Sequence, residues 1–140
     1  TPAQIHRYRN RVSGPLLDRI DLQVEVDGVS YEQLVSDEAE SSAVVKARIE
    51  RARLIQRERL SAEGISVNAL MSEAHLKKYC RLSAECEAIL KNAFETLHLS
   101  ARARSRIIKV ARTIADLELS ENIQPEHILE ATSYRSMDLK

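Results

Sequence analysis

From residue 42 to about residue 135 the apolar side chains recur at three- and four-residue intervals, and a serine, an asparagine or a proline opens each run. That periodicity confines the segment to amphipathic helices, because a 3.6-residue repeat stacks positions i, i+3, i+4 and i+7 on one face. The first run, with Ser42 read as N-cap, extends to about Leu60 and carries Val45, Ile49, Ala52 and Ile55. Gly64 closes it, and Asn68 opens a run bearing Ala69, Leu70, Ala74, Leu76, Tyr79 and Cys80. Ser83 opens the next, with Cys86, Ile89, Leu90, Ala93, Phe94 and Leu97 in a stripe. Ser100 opens a third, Ala101 to about Leu117, whose apolar set is Ala103, Ile107, Val110, Ala111 and Ile114; Pro125 starts a last one through Ile128, Leu129 and Ala131. Four or five such helices joined by short connections make a bundle.

The first forty residues read differently. Thr1-Pro2-Ala3-Gln4 has capping-box spacing with proline at the first helical position, so a short helix is expected to about Val12, where Ser13-Gly14-Pro15 stops it. Pro15 then opens a turn through Leu16, Leu17, Asp18 and Arg19. Leu22, Val24 and Val26 alternate with polar neighbours up to Gly28, the one strand signal in the sequence. A lone strand cannot satisfy its own backbone donors and acceptors, so it must join a sheet from elsewhere or stay frayed. Ser30 to Gln33 again has capping-box spacing, and Ser36 to Ser42, including Glu38, reads as a solvated linker. The expected fold is mainly α: a helical bundle over residues 41–140, preceded by a tail, residues 1–40, with one orphan strand.

Composition limits the chemistry. The 21 basic and 21 acidic residues cancel, but in blocks: four arginines to one aspartate up to Arg19, seven acids and no base from Ile20 to Glu40, six bases to two acids from Ser41 to Leu60. Block alternation of this kind is where a partner surface can lie. Cys80 and Cys86 are too few for a disulfide scaffold and fit no zinc spacing, so they read as core thiols of a reducing, cytoplasmic compartment. His6, His75, His98 and His127 lie in separate segments with no metal-ligand spacing, and no metal site is expected. No apolar run approaches the ~20 residues a membrane span needs. The absence of an initial Met before Thr1 favours reading the chain as an excised piece.

Three scattered glycines cannot build a phosphate-cradling loop, and neither G-x-x-x-x-G-K-[ST], G-x-G-x-x-G nor G-x-S-x-G occurs. What remains is arginine at element ends. Arg19 sits between Asp18 and Asp21, either of which could neutralise it locally at an exposed site. Arg102 falls in the first turn of its helix, where backbone N–H groups already favour an anion, so a cation is misplaced there unless an anion comes to it. Arg106 and Lys109 extend a basic ridge on the same face, with a plain solvated face as the alternative.

Arg11-Val12-Ser13-Gly14-Pro15-Leu16-Leu17-Asp18-Arg19-Ile20-Asp21 resembles a segment of magnesium-chelatase-like AAA+ ATPases of the competence protein ComM/YifB type. Tyr79-Cys80, Leu99 to Ala103, Arg106 to Leu117, and Ile128 to Ala131 with Tyr134-Arg135 resemble the same family's C-terminal domain. The resemblance implies that residues 1–40 are the end of an ATPase core, holding Leu22 to Val26 in its sheet, and that residues 41–140 are its helical lid. It implies that Arg19 is an arginine finger reaching in trans to the γ-phosphate of a neighbouring subunit, and that Arg102 is a sensor 2 touching the nucleotide of its own subunit. It further implies ATP and Mg²⁺ as cofactors of the full-length protein, with none expected on these 140 residues alone. The implied partners are neighbouring subunits of a homo-hexameric ring and DNA remodelled during natural transformation. Two alternatives stand beside this. One is a non-enzymatic helical DNA-binding or interaction module using Lys46, Arg48, Arg51, Arg53, Arg57 and Arg59, which neutral charge and scarce aromatics disfavour. The other is an ATPase subunit of a magnesium-chelatase-type complex.

Overall fold

The computed structural model describes residues 1–37 and 39–135. Eight α-helices occur among them: α1 (Pro2–Arg9), α2 (Gly14–Asp18), α3 (Tyr31–Val35), α4 (Ser42–Leu60), α5 (Glu73–Tyr79), α6 (Ala84–Thr96), α7 (Ala101–Leu117) and α8 (Pro125–Ser133). Glu38 of the expected linker and the last five residues of the expected lid lie outside the described residues.

Helix starts follow hydroxyl side chains. Thr1, Ser13, Ser30, Ser41, Ser72, Ser83 and Ser100 each accept a backbone N–H of the first turn, satisfying a donor that no intrahelical carbonyl can reach. Two boundaries differ from the sequence expectation. Ser41, not Ser42, caps α4. Asn68 opens only a 3₁₀ turn, Asn68–Leu70, and Ser72 caps the helix that follows, because the Asn68 side chain is buried in a polar cluster and is not available to a helix N-terminus. Helix α1 also stops at Arg9, short of Val12. Gly64 takes the left-handed conformation (φ 69°) that ends the chain's path out of α4.

Helix α7 is the axis of the bundle and packs against α4, α5 and α8, while α6 packs on α8. Ala103, Ile107, Ala111 and Ile114 are buried as the stripe requires, but so are Ile108, Arg112, Ala115 and Asp116, which lie around the other side. Cys86 and Leu90 of α6, Ile128 and Ala131 of α8, and Leu60, Met71, Leu76 and Cys80 complete the core. Of the expected α4 stripe Ala52 is buried and Val45 and Ile55 are half-buried, whereas Ile49 is exposed; Gln56 and Leu60 complete the buried face. Phe94 and Leu129, also expected inside, are exposed.

The orphan strand does not form. Residues 22–30 adopt no regular structure; Leu22, Val24 and Val26 face solvent, and Val26 is 84% exposed. Among the described residues no strand lies beside them to complete a ladder. What anchors the segment is instead the polar residue of the alternation: Gln23 is buried, its N–H donating to the Tyr134 carbonyl at 2.9 Å and its Nε2 to the Leu17 carbonyl at 3.2 Å.

Both cysteines are free and buried. Burial pushes the Cys80 thiol up to about 11. Alkylation of Cys80 in the folded protein at pH 8 is therefore expected to be at least tenfold slower than in urea-unfolded chain, roughly as its thiolate fraction dictates; mass-spectrometric time courses with iodoacetamide check this, and equal rates would contradict the burial.

Candidate functional site

The N-terminal end of α7 forms one wall of a pocket of about 400 Å³, lined by Asp21, Ala69, Glu73, Ala101, Arg102, Ser105, Arg106 and Lys109. Local sequence explains its shape. Ser100 holds the start of α7 by accepting the Ala103 N–H at 3.2 Å, and the same hydroxyl donates to Asp18 Oδ1 at 2.9 Å, bringing the end of α2 to the helix N-terminus. Residues 102, 106 and 109 share a face by helical spacing, so their cations project together.

Their uses differ. Arg106 donates through Nη1 to the Arg19 carbonyl at 2.8 Å and to the Asp21 carboxylate. Lys109 donates to the Ala69 carbonyl at 3.2 Å, and Ser105 donates to the Glu73 carboxylate. Arg102 is exposed and, among the described residues, has no hydrogen-bond or ion-pair partner. Three cationic groups thus face two carboxylates, and the one with no acceptor among the described residues stands in the first turn of a 17-residue helix whose free N–H groups add positive potential. The pocket can receive an anion at Arg102. Of the ridge, Arg106 and Lys109 are engaged by neighbouring acceptors, while Arg102 stays exposed to solvent.

Arg19 is elsewhere. Its backbone reaches the pocket's edge through the bond to Arg106, but its side chain is not among the lining groups, is exposed and has no partner among the described residues. The expectation that Asp18 or Asp21 neutralises it is corrected. Asp18 pairs with Arg135 at 3.1 Å and Asp21 with Arg106, so both carboxylates are taken by arginines of the bundle. Arg135, 1% exposed, also donates to the carbonyl of Ile20 at 2.8 Å. In the sequence Arg135 is simply part of the Tyr134-Arg135 pair that follows the last helix, with no role marked for it. An arginine immediately after the apolar face of α8 was the available signal.

The remaining basic residues are partly consumed. Arg48 forms a two-point pair with Glu40 at 2.8 and 3.1 Å, which lowers the Glu40 pKa, and Lys46 lies 3.7 Å from Glu50. Arg59 is bound to buried Asp116. Only Arg51, Arg53 and Arg57 of the six basic α4 residues lack such a partner among the described residues, which weakens the DNA-binding-module alternative. Glu63 receives Lys78 Nζ at 2.6 Å and the Tyr79 hydroxyl at 2.7 Å, and these hydrogen bonds hold its carboxyl at about 2. His127 is buried; its Nδ1 accepts the Gln124 N–H, so Nε2 carries the proton and donates to Glu118 at 2.8 Å. Among the described residues no three His, Cys, Asp or Glu side chains are grouped as a metal site, and no helix is long and apolar enough to cross a membrane.

Residues 39–135 match the family model described as magnesium chelatase, subunit ChlI C-terminal, and residues 1–34 match the model for magnesium chelatase, subunit ChlI. The chain is 40% identical over 139 residues to competence protein ComM of Haemophilus influenzae, covering 98% of this chain and 26% of that protein. It is 41% identical over 142 residues to the uncharacterized protein YifB of Escherichia coli, covering 99% of this chain and 27% of YifB. An uncharacterized protein of Mycobacterium tuberculosis is 31% identical over 129 residues, 92% of this chain and 26% of its own length. The chain thus spans about a quarter of the length of these relatives.

Proposed function

The chain belongs to the magnesium-chelatase-like ComM/YifB family of AAA+ proteins, and we propose that it supplies two arginines to ATP hydrolysis by a ring of subunits. In this reading residues 1–40 are the end of the ATPase core and residues 41–140 its lid. Arg102 is the sensor 2 that meets the phosphates of its own subunit's ATP. Arg19 is the finger that reaches the γ-phosphate held by the neighbour.

The observation that carries the reading is the pocket at the N-terminus of α7, where Arg102 has no partner among the described residues while the cations beside it are engaged. A guanidinium beside helix N–H groups suits polyphosphate oxygens, which accept charge-assisted hydrogen bonds. The separation of Arg19 from that pocket supports two different nucleotides for the two arginines, as a trans finger and a cis sensor require. ATP supplies the transferable phosphoryl group; Arg102 orients its phosphates, and Arg19 offsets charge that develops on the neighbouring phosphoryl group. The residues described here fit the phosphate end of ATP but offer no grouped carboxylates for Mg²⁺, which the reading assigns to the rest of the full-length protein.

A closed ring follows from a finger that works only across a subunit boundary, and a homo-hexamer is the form proposed. The task proposed for the ring is DNA remodelling in natural transformation. It is supported by the name "Competence protein ComM" of the Haemophilus influenzae relative and is a proposal by analogy. The two free cysteines support a cytoplasmic site. In the full-length protein Arg102→Ala is expected to weaken binding of a fluorescent ATP analogue by about tenfold, the value of one charge-assisted hydrogen bond. Unchanged affinity and turnover would remove Arg102 from the nucleotide site.

A further inference from the structure

Arg106 joins the two functional arginines mechanically. It lies one helical turn beyond Arg102 and lines the same pocket, yet its Nη1 is spent on the Arg19 carbonyl and the Asp21 carboxylate. The opposite edge of that loop is held by Arg135, on the Ile20 carbonyl and on Asp18, by the Ser100 hydroxyl on Asp18, and by the Tyr134 carbonyl on the Gln23 N–H. Residues 18–23 are therefore strapped across the start of α7 and the end of α8, with the Arg19 side chain left projecting. The carbonyl that Arg106 grips is bonded to the Arg19 Cα, so any movement of Arg106 moves the root of that side chain. An anion entering the pocket toward Arg102 also meets Arg106 and competes with Asp21 for it. The Arg106–Asp21 bond of the strap joins two residues that line the pocket.

We propose that Arg106 is a positioning residue through which phosphate occupancy of the Arg102 pocket in one subunit sets the position of Arg19 and so the hydrolysis competence of the next subunit's site. The proposal rests on the finger and sensor 2 reading above and adds to it a route between them. Because the two sites belong to different subunits, the route makes hydrolysis around the ring cooperative.

The test is Arg106→Ala in the full-length protein, with Arg19→Ala measured in parallel. Binding of a fluorescent ATP analogue is expected to weaken by about two- to fourfold, because Arg106 also meets the entering phosphate, while kcat falls about thirtyfold or more from misplacement of the finger. The Hill coefficient of turnover against ATP is expected to lie above one in wild type and to fall to about one in Arg106→Ala. Asp21→Ala, which leaves the Arg106 bond to the Arg19 carbonyl in place, should lower kcat in the same direction but by less, and the double variant should lose no more kcat than Arg106→Ala alone. In the 140-residue chain the Gln23 amide should exchange with deuterium about tenfold faster in Arg106→Ala, with the α7 amides unchanged; this arm answers even if the full-length variant fails to assemble. Wild-type kcat and cooperativity in Arg106→Ala, with turnover abolished in Arg19→Ala, would overturn the strap alone. Equal losses of affinity and kcat would make Arg106 a nucleotide ligand and overturn the proposal. Normal turnover in Arg19→Ala would overturn the finger reading and the strap's function with it.

Discussion

Arg19→Ala is expected to lower steady-state ATP turnover of the full-length protein by about a thousandfold or more, with ATP affinity within about twofold of wild type. The size follows from what a trans arginine contributes to phosphoryl transfer, where charge spreads over oxygens that the nucleotide's own subunit does not fully neutralise. The selectivity follows from the structure. The Arg19 side chain is exposed and has no partner among the described residues, and it is absent from the pocket that Arg102 lines. The loop's position depends on the Arg19 carbonyl and on Asp18, Ile20, Asp21 and Gln23, all of which alanine at position 19 leaves in place. Stability should accordingly change by no more than about 0.5 kcal/mol, the range of surface substitutions, and the melting temperature by a few degrees at most. Arg19→Lys should recover little, since a single ammonium cannot reproduce the planar fork of donors that a phosphoryl oxygen set accepts. Coupled-assay turnover, nucleotide titration and a melting curve on the same preparations check all three parts. A large loss of melting temperature would reassign Arg19 to structure, and wild-type turnover would end the finger reading.

The bundle was readable from the sequence because its signals are local. Ser83 and Ser100 sit where N-caps belong, and the Ala103, Ile107, Ala111 and Ile114 stripe is buried as its spacing demands. The segment Leu22 to Val26 stays frayed, one of the two outcomes open to a lone strand, for the complementary reason. Alternation describes what a segment could bury in a sheet, and no strand among the described residues lies beside this one, so it is the polar Gln23 that is buried while Leu22, Val24 and Val26 stay exposed. At the site, Arg102 was recognisable as a cation in the wrong end of a helix dipole. The destinations of Asp18 and Asp21 were not: their partners Arg135 and Arg106 lie 117 and 85 residues away, and no local pattern encodes such a pairing. The polar cluster around Asp116 did leave a trace that went unread. Ile108, Arg112 and Asp116 fall at successive four-residue steps of α7, and two charges continuing an apolar row mark a buried pair.

Asp116→Ala should destabilise the protein by about 3–5 kcal/mol, the cost of breaking a buried ion pair from one side. The carboxylate is fully buried and receives Arg59 through both terminal nitrogens, Arg112 Nε at 3.1 Å and Asn68 Nδ2 at 2.8 Å. Alanine removes the only anion from this set and strands the Arg112 guanidinium, itself 2% exposed, whose pKa burial already lowers against the pull of Asp116. Arg112 cannot turn outward to water, because Nη1 and Nη2 hold the carbonyls of Glu121 at 2.9 Å and Ser120 at 2.7 Å that close the turn after α7. Asp116→Asn should cost less, since it keeps an acceptor, but its amide would point donors at arginine donors. For a chain of this size the alanine variant should melt roughly 10–20 °C lower, and chemical denaturation should show the same loss with little change in the denaturant slope. Function should follow through geometry. Arg102 and Asp116 lie at opposite ends of α7, about 20 Å apart at 1.5 Å per residue, so the cluster that clamps the C-terminal end fixes the lever on which Arg102 and Arg106 are carried. Conditions that refold the variant, such as low temperature, should therefore restore its nucleotide affinity, whereas Arg102→Ala should remain weak at every temperature. An Asp116→Ala protein with wild-type melting would show that the buried arginines find solvent or other acceptors.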